Sequence, residues 1–442
     1  MSLELAPPPP RRGRPPARNE ILRAGRLAGL DPAWLADRFG TPLYVYDLDV
    51  VDRQVDELRA RLPPPFDLAY ALKANPSLAV VAHLGRLGLG ADIASAGELA
   101  TAVRAGIDPG SIVFTGPGKR DIELELAART GVRAITVESP AELVRLERIA
   151  AASRRRVPIL LRMSVTDAAR LERVRLVGDD GAGKFGMDDR DLRACARAAA
   201  RSAHVDLLGL HAFGASNVRD AAALADHVAA TVRAACELSR EANFHLRLVD
   251  AGGGLGIPYD VHEESLDLAG LGARLGALAA TWESDPTTRR MRVLLEPCRF
   301  LVAAAGAYLA RVVDLKTVSE GPVVILDGGI HHLLRPALVG QEQRIHSFGS
   351  RPAAEKSWAV TVAGPLCSGL DVFSQHVAMA LPEVGDLVAV LDAGAYGFTE
   401  AMPFFLSHPM PAEVVIAGGI AELARPRLEP ETWLGWQRDT GI

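Results

Sequence analysis

The chain has 442 residues, 49% of them hydrophobic, which is enough to bury a large core and long enough for two domains. Its formal net charge of -5 offers no basic field for nucleic acid or an anionic membrane, so a small-molecule site is the expected centre of function. The four cysteines, Cys195, Cys236, Cys298 and Cys367, stand far apart with no C-x-x-C pair; this argues against a zinc site or a disulfide framework and fits a reducing cytoplasm.

In chain order, residues 1–28 read as a disordered leader, because Pro7 to Arg18 is rich in proline and arginine and lacks the apolar segment of a secretory signal. No apolar run approaches the roughly 20 residues that span a bilayer. Residues 29–47 include a strand-like Pro42 to Tyr46 and are expected to join a later β domain. From Phe66 onward, short apolar runs alternate with segments of helical period, the sign of parallel βα units. The runs are Phe66 to Leu72, Leu89 to Ile93, Ser111 to Phe114, Ala134 to Val137, Val157 to Leu161, Val205 to Leu210, Leu246 to Val249 and Met291 to Leu295. Eight such units predict an α/β fold, a (β/α)8 TIM-type barrel over residues 48–305. Beyond residue 306 the texture becomes β-rich, as in Val323 to Leu326, Trp358 to Val362, Leu387 to Leu391 and Val414 to Ala417, and predicts a mostly β C-terminal domain over 306–442.

Reacting groups of such barrels sit where strands end. The first run ends at Lys73, the second at Asp92 with Ser95, the third at Thr115, the fourth at Glu138 and the fifth at Arg162. The sixth ends at His211, Phe213 and Ser216, the seventh at Gly252-Gly253-Gly254, and the eighth at Glu296-Pro297-Cys298-Arg299. Only five lysines occur, and a lysine at the mouth of an apolar site can form a Schiff base, as arginine cannot. A lysine that merely ends a strand in water is the plain alternative for Lys73. The triple glycine lets backbone N–H groups approach a phosphate. Glu296 offers a carboxylate for a ring nitrogen, unless it simply pairs with Arg299. An imine lysine, a phosphate seat and an acid for a pyridinium are what pyridoxal 5'-phosphate asks of a protein.

The motifs YALKANP, GADIASAGEL, GKFGM, GLHAFGASN, DAGGGLG, EPCR, DGG, RPAL, GPLCSGLD and DAGAYGF resemble, in order, those of the fold-type III decarboxylases, which include diaminopimelate decarboxylase and the eukaryotic-type ornithine decarboxylase. The resemblance implies an alanine racemase-like barrel that holds pyridoxal phosphate, and removal of the α-carboxylate of an amino acid. It implies Lys73 as Schiff-base lysine, Glu296 as pyridinium partner, and Ser216, Gly254 and Arg299 at or beside the phosphate, which Tyr396 also reaches. Asp92, Gly252 and Gly253 are counted with the cofactor ligands. Cys367 resembles the cysteine that protonates the carbon left by carbon dioxide, and the family contributes it from the partner subunit of a homodimer. The family's imidazole over the ring falls at Phe213; side chains two apart on a strand share a face, so either His211 or Phe213 lies there.

Departures from the family bear on substrate. Ser368 stands where diaminopimelate enzymes carry glutamate and ornithine enzymes aspartate, and Val339 replaces a tyrosine. Arg299 and Arg335 resemble the arginines that face a distal carboxylate, Tyr396 is placed beside the substrate, and Asp371 or Glu400 offers a replacement charge. The expectation is an amino acid whose far end is acidic, acylated or linked to a carrier protein, as in natural-product pathways. The rivals are a diaminopimelate decarboxylase of lysine biosynthesis and a catalytically silent binding or regulatory protein.

Overall fold

The computed structural model describes residues 21–165, 183–214, 216–260, 262–349 and 357–440. They divide into two compact units, one formed by Val51–Ile257 with Glu264–Ala303, the other by the described parts of Met1–Val50, Pro258–Glu263 and Ala304–Ile442.

In the first unit eight parallel strands close into a barrel: Phe66–Ala71, Gly90–Ile93, Ile112–Phe114, Ala134–Val137, Val157–Arg162, Val205–His211, Leu248–Asp250 and Arg292–Leu295. The pairing of Val293 with Phe66 completes the ring. Small and branched residues, Ala69, Val113, Ala134, Leu160, Leu248 and Leu294, form a buried cluster, as the packed interior of such a barrel requires. At Gly209 a side chain would bring a Cβ within 1.9 Å of the Leu248 carbonyl, so the close approach of the sixth and seventh strands demands glycine.

Two of the helices that follow the strands begin on capping serines. Ser95 Oγ accepts the Glu98 N–H and Ser139 Oγ the Glu142 N–H, each at 3.1 Å. The two glutamates reach back to the N–H groups of Ala94 and Glu138, which pins each strand-to-helix turn.

Two expected strands differ in extent. The first stops at Ala71 and gives way to a 3-10 turn over Leu72–Ala74, so Lys73 rides on a turn and not on the strand itself. Pro76 has no N–H for a ladder, and the preceding Asn75 caps the next turn by accepting the Ser77 N–H. The seventh is Leu248–Asp250, displaced toward the C-terminus because its register is set by pairing with Gly209–His211 and Arg292–Leu294. That shift makes Asp250 the last residue of the strand.

In the second unit, Leu43–Asp47 lies between Gly306–Val318, to which it runs antiparallel, and Ala412–Ala417, to which it runs parallel. Leu43, Val45, Ala307, Leu309, Ala389, Val414 and Ile416 build its core. The leader was expected to reach residue 28, but Leu22–Arg23 and Arg26–Leu27 pair as a small hairpin, and Ile21 and Leu27 are buried in the same core. These apolar residues supply the burial that a disordered segment lacks. Residues 1–20 of the expected leader lie outside the described residues. No described helix is long and apolar enough to cross a membrane.

Candidate active site

At the C-terminal face of the barrel, Lys73 Nζ lies 3.3 Å from Asp92 Oδ2, with its side chain 43% exposed above an almost fully buried carboxylate. Asp92 Oδ1 accepts the Thr115 hydroxyl at 2.6 Å, so the lysine's partner is itself fixed. Lys119, by contrast, is sealed in a pair with Glu142 at 2.9 Å and donates to the Thr136 carbonyl, a structural arrangement. Glu138 accepts from the Gly116 and Gly186 N–H groups and from Arg162 at 2.7 Å, which ties together the loops around the strand tips.

Deeper in the barrel, one ligand atom from each of His211, Asp250 and Glu296 lies within 4.8 Å of the others. All three side chains are buried, and His211 Nδ1, Asp250 Oδ2 and Glu296 Oε1 have no hydrogen-bond partner. Burial, then the charges of Asp92, push the Asp250 carboxyl up to about 7. Burial and the neighbouring Asp250 raise Glu296 as well. Burial, then Arg162 and Lys73, depress His211, so its imidazole is neutral. Such a cluster of unmet acceptors calls for a cationic N–H donor or a metal ion.

Gly252 and Gly254 take φ of +66° and +97°, the left-handed region where glycine is favoured. A Cβ on Gly253 would lie 2.2 Å from the Glu296 carbonyl, so this turn presses against the eighth strand's end. The Gly252 N–H is taken by Asp250 Oδ1 at 2.9 Å, so it is not available to a phosphate. Arg299 is buried with Nη2 3.4 Å from Ser216 Oγ, and Glu296 turns toward Asp250 and His211.

His211 and Phe213 have different neighbours, and the strand period that would place them on one face ends at His211. His211 is the last strand residue and joins the carboxyls; Phe213 lies beyond the strand, where the alternation lapses, and its ring centre is 5.6 Å from Lys73 Nζ.

In the β unit, Cys367 is exposed on the turn between Ser357–Ala363 and Val372–Ala380. Asp371, expected among the substrate ligands, is instead a clamp beneath that turn. Its Oδ1 accepts the Ile330 N–H and its Oδ2 the Leu366 N–H, both at 2.7 Å, and it is buried between Gly329 and Gly364, where any Cβ would collide with it. The Ser368 hydroxyl accepts the Leu370 N–H at 3.3 Å. Arg335, expected to meet a distal carboxylate, is buried and held by both Glu400 oxygens at 3.0 and 2.8 Å, with its guanidinium 4.6 Å from the centre of the Tyr396 ring. Its charge is therefore met within the unit. Tyr396 itself holds a left-handed φ of +54°.

A family model described as pyridoxal-dependent decarboxylase, pyridoxal binding domain, matches residues 48–303. The chain belongs to the pyridoxal-dependent decarboxylase family. Among curated relatives, L-glutamyl-[BtrI acyl-carrier protein] decarboxylase of Niallia circulans is 30% identical over 400 residues, 88% of this chain and 92% of that protein. Diaminopimelate decarboxylase of Methanothermobacter thermautotrophicus is 34% identical over 410 residues, covering 91% and 92%. Among solved structures, a diaminopimelate decarboxylase from M. jannaschii superposes with a TM-score of 0.87 at 26% identity, covering 95% of this chain and 98% of that one.

As a member of this family the chain is a carboxy-lyase that acts on an amino acid with pyridoxal phosphate as cofactor. The residues present fit that group: a reachable lysine, a left-handed glycine turn, and buried unmet acceptors suited to a ring N–H. Asp250 escaped the reading of strand ends because the strand runs one residue past its apolar stretch; it stands inside the DAGGGLG motif, and extending the strand-end rule by one residue would have found it.

Proposed function

We propose that this decarboxylase acts on an amino acid whose distal carboxyl is joined to a carrier, as a thioester or amide. The observation that carries the reading is the pairing of Arg335 with Glu400, whose two carboxylate oxygens both accept from Arg335 Nη1. A buried guanidinium already neutralised by a carboxylate is a poor reader of a second one. Ser368 likewise brings no charge for a distal ammonium, and an ammonium buried without an opposite charge is strongly disfavoured. Both ends of the pocket's charge code thus favour a distal group that is polar and uncharged. Because the α-carboxylate is the group that leaves, a carrier can be attached only at the other end. The Niallia circulans relative, by its name, acts on a carrier-borne glutamyl group, which supports the same reading.

In this proposal Lys73 holds the cofactor, with Asp92 keeping its ammonium oriented. Gly253, Gly254, Ser216, Arg299 and Tyr396 seat the phosphate, and Glu296 with His211 faces the ring nitrogen. Phe213, beside Lys73, borders the ring at the mouth. Bound pyridoxal phosphate supplies the electron sink for loss of carbon dioxide. The Cys367 thiol donates the proton that replaces the carboxylate, and Asp371 holds its turn in place. Cys367 belongs to the β unit and Lys73 to the barrel, and we assign them to one site shared across a two-fold homodimer. The setting is the cytoplasm, in natural-product assembly.

The test is kcat/KM for a glutamyl carrier thioester against meso-diaminopimelate, ornithine and lysine, in the unaltered chain and in Ser368→Glu. Preference for the thioester, with gain on the diamino acids only in the variant, is expected. Efficient turnover of any of the three free amino acids by the unaltered chain would overturn the proposal.

A further inference from the structure

Asp250 ends the seventh barrel strand and Glu296 follows the eighth, 0% and 2% exposed. A carboxylate oxygen of each lies within 4.8 Å of the other's. Two ionised carboxylates are acceptors only and repel each other at such a distance away from water, which favours one proton held by the pair. No neighbour supplies a donor to Asp250 Oδ2 or Glu296 Oε1. The charged and titratable groups acting on the pair are Lys73 from the turn after the first strand, Asp92 from the second strand and Cys298 beyond the eighth. His211, on the sixth, is neutral under the influence of burial, Arg162, Lys73, His227 and Lys119.

We infer that Asp250 is a positioning residue for the cofactor ring: it shares one proton with Glu296, and its negative charge strengthens Glu296 as a base toward the ring nitrogen. With a pyridoxal ring bound, the proton held by Asp250 and Glu296 would pass to the ring nitrogen, one O–H bond breaking as one N–H bond formed. The pair goes from one negative charge to two while the ring gains one positive charge, so charge and proton balance inside the pocket without uptake from water. The same side chain sets the geometry. Asp250 Oδ1 holds the N–H of Gly252, and the Gly252 carbonyl accepts the Glu296 N–H at 2.9 Å, so one carboxyl organises both the glycine turn and the backbone of the ring's acidic partner. The upward shifts of both carboxyls agree with a proton retained near neutrality.

The inference rests on the assignment of Glu296 to the ring nitrogen, and the experiment separates the two. The holoenzyme is loaded with pyridoxal phosphate labelled with 15N in the ring, and the nitrogen shift is followed with pH. The unaltered enzyme should keep the ring protonated, Glu296→Gln should release the proton, and Asp250→Asn should lower the midpoint by about one pH unit or more. If Glu296→Gln leaves the ring protonated as in the unaltered enzyme, the assignment of Glu296 falls. If Glu296→Gln releases the proton while Asp250→Asn keeps the original midpoint, the Asp250 inference alone falls. Asp250→Ser, which keeps an acceptor for Gly252 without the charge, serves if the asparagine variant fails to load. A readout on the unaltered chain alone is the infrared difference spectrum on loading, which should lose one buried protonated-carboxyl band; the absence of that loss overturns the inference.

Discussion

In the barrel, Asp250, Glu296 and His211 converge with an atom of each left unmet, whereas in the β unit Asp371 and Arg335 are buried as deeply and have their charges met by the protein itself. Burial is similar, so what differs is who supplies the partner. A carboxylate that accepts two backbone N–H groups needs nothing more, and its role is to hold a turn. Two carboxyls facing each other in the dark are stable only with a proton or a cationic ligand. Unmet buried polar atoms therefore mark where a cofactor belongs, and met ones mark scaffolding. His331 complicates the contrast from within the β unit. It is fully buried, neither ring nitrogen has a partner, and its ring centre lies 3.6 Å from that of His332. Burial, then His408, pushes it down to about 3, so it persists as a neutral ring tilted against its neighbours.

The largest expected effect is on the barrel side. Lys73→Ala should lower activity by about a thousandfold or more and abolish the borohydride-reducible cofactor adduct. Retention of that adduct would move the anchor to another lysine. Mixing Lys73→Ala with Cys367→Ala after subunit exchange should restore part of the activity, and no recovery despite demonstrated exchange would break the shared-site assignment.

On the β side, Glu400→Gln leaves the Arg335 guanidinium buried with its counter-charge gone. Removing one partner of a buried pair typically costs about 3 kcal/mol or more; Glu400 is 25% exposed, so a smaller loss in thermal stability is expected here. The same variant should raise kcat/KM for free amino acids with a distal carboxylate. A stable variant with unchanged selectivity would remove Arg335 from substrate choice.

The two regions should also answer pH in opposite directions. Asp250 is raised from 3.8 to about 7 on folding, so the stability tied to it is full below 3.8 and declines as pH rises toward 7 in cofactor-free protein. His331 is lowered from 6.5 to about 3, so its share is full above 6.5 and declines as pH falls toward 3. Hydrogen exchange read separately over the barrel and the β unit should show these opposing slopes, flattened by Asp250→Asn in the first and His331→Phe in the second. Parallel slopes in both would contradict the contrast.

The smallest effect is expected at Asp371. Asp371→Asn keeps one acceptor and turns an amide N–H toward the other backbone N–H, a loss of about 1–3 kcal/mol. The rate of Cys367 alkylation should change with it, since the Leu366 N–H beside that thiol is one of the two affected. An unaltered alkylation rate would limit Asp371 to fold stability.

The order of strands and helices, the placement of Lys73, the glycine run and Glu296 at strand ends, and the family itself were legible in the sequence, because each depends on local periodicity or on contiguous motifs. The strand-end rule holds for any barrel whose βα units are intact, so no distant contact had to be known. What the tertiary structure alone decided was partnership. Arg335 goes to Glu400 and Asp371 to two backbone N–H groups, because a buried charge is met by whichever segment packs against it, whereas Asp250 and Glu296 are brought together with an oxygen of each unmet. The split between His211 and Phe213 has the same origin. Strand alternation persists only while the ladder does, and the ladder of the sixth strand ends at His211.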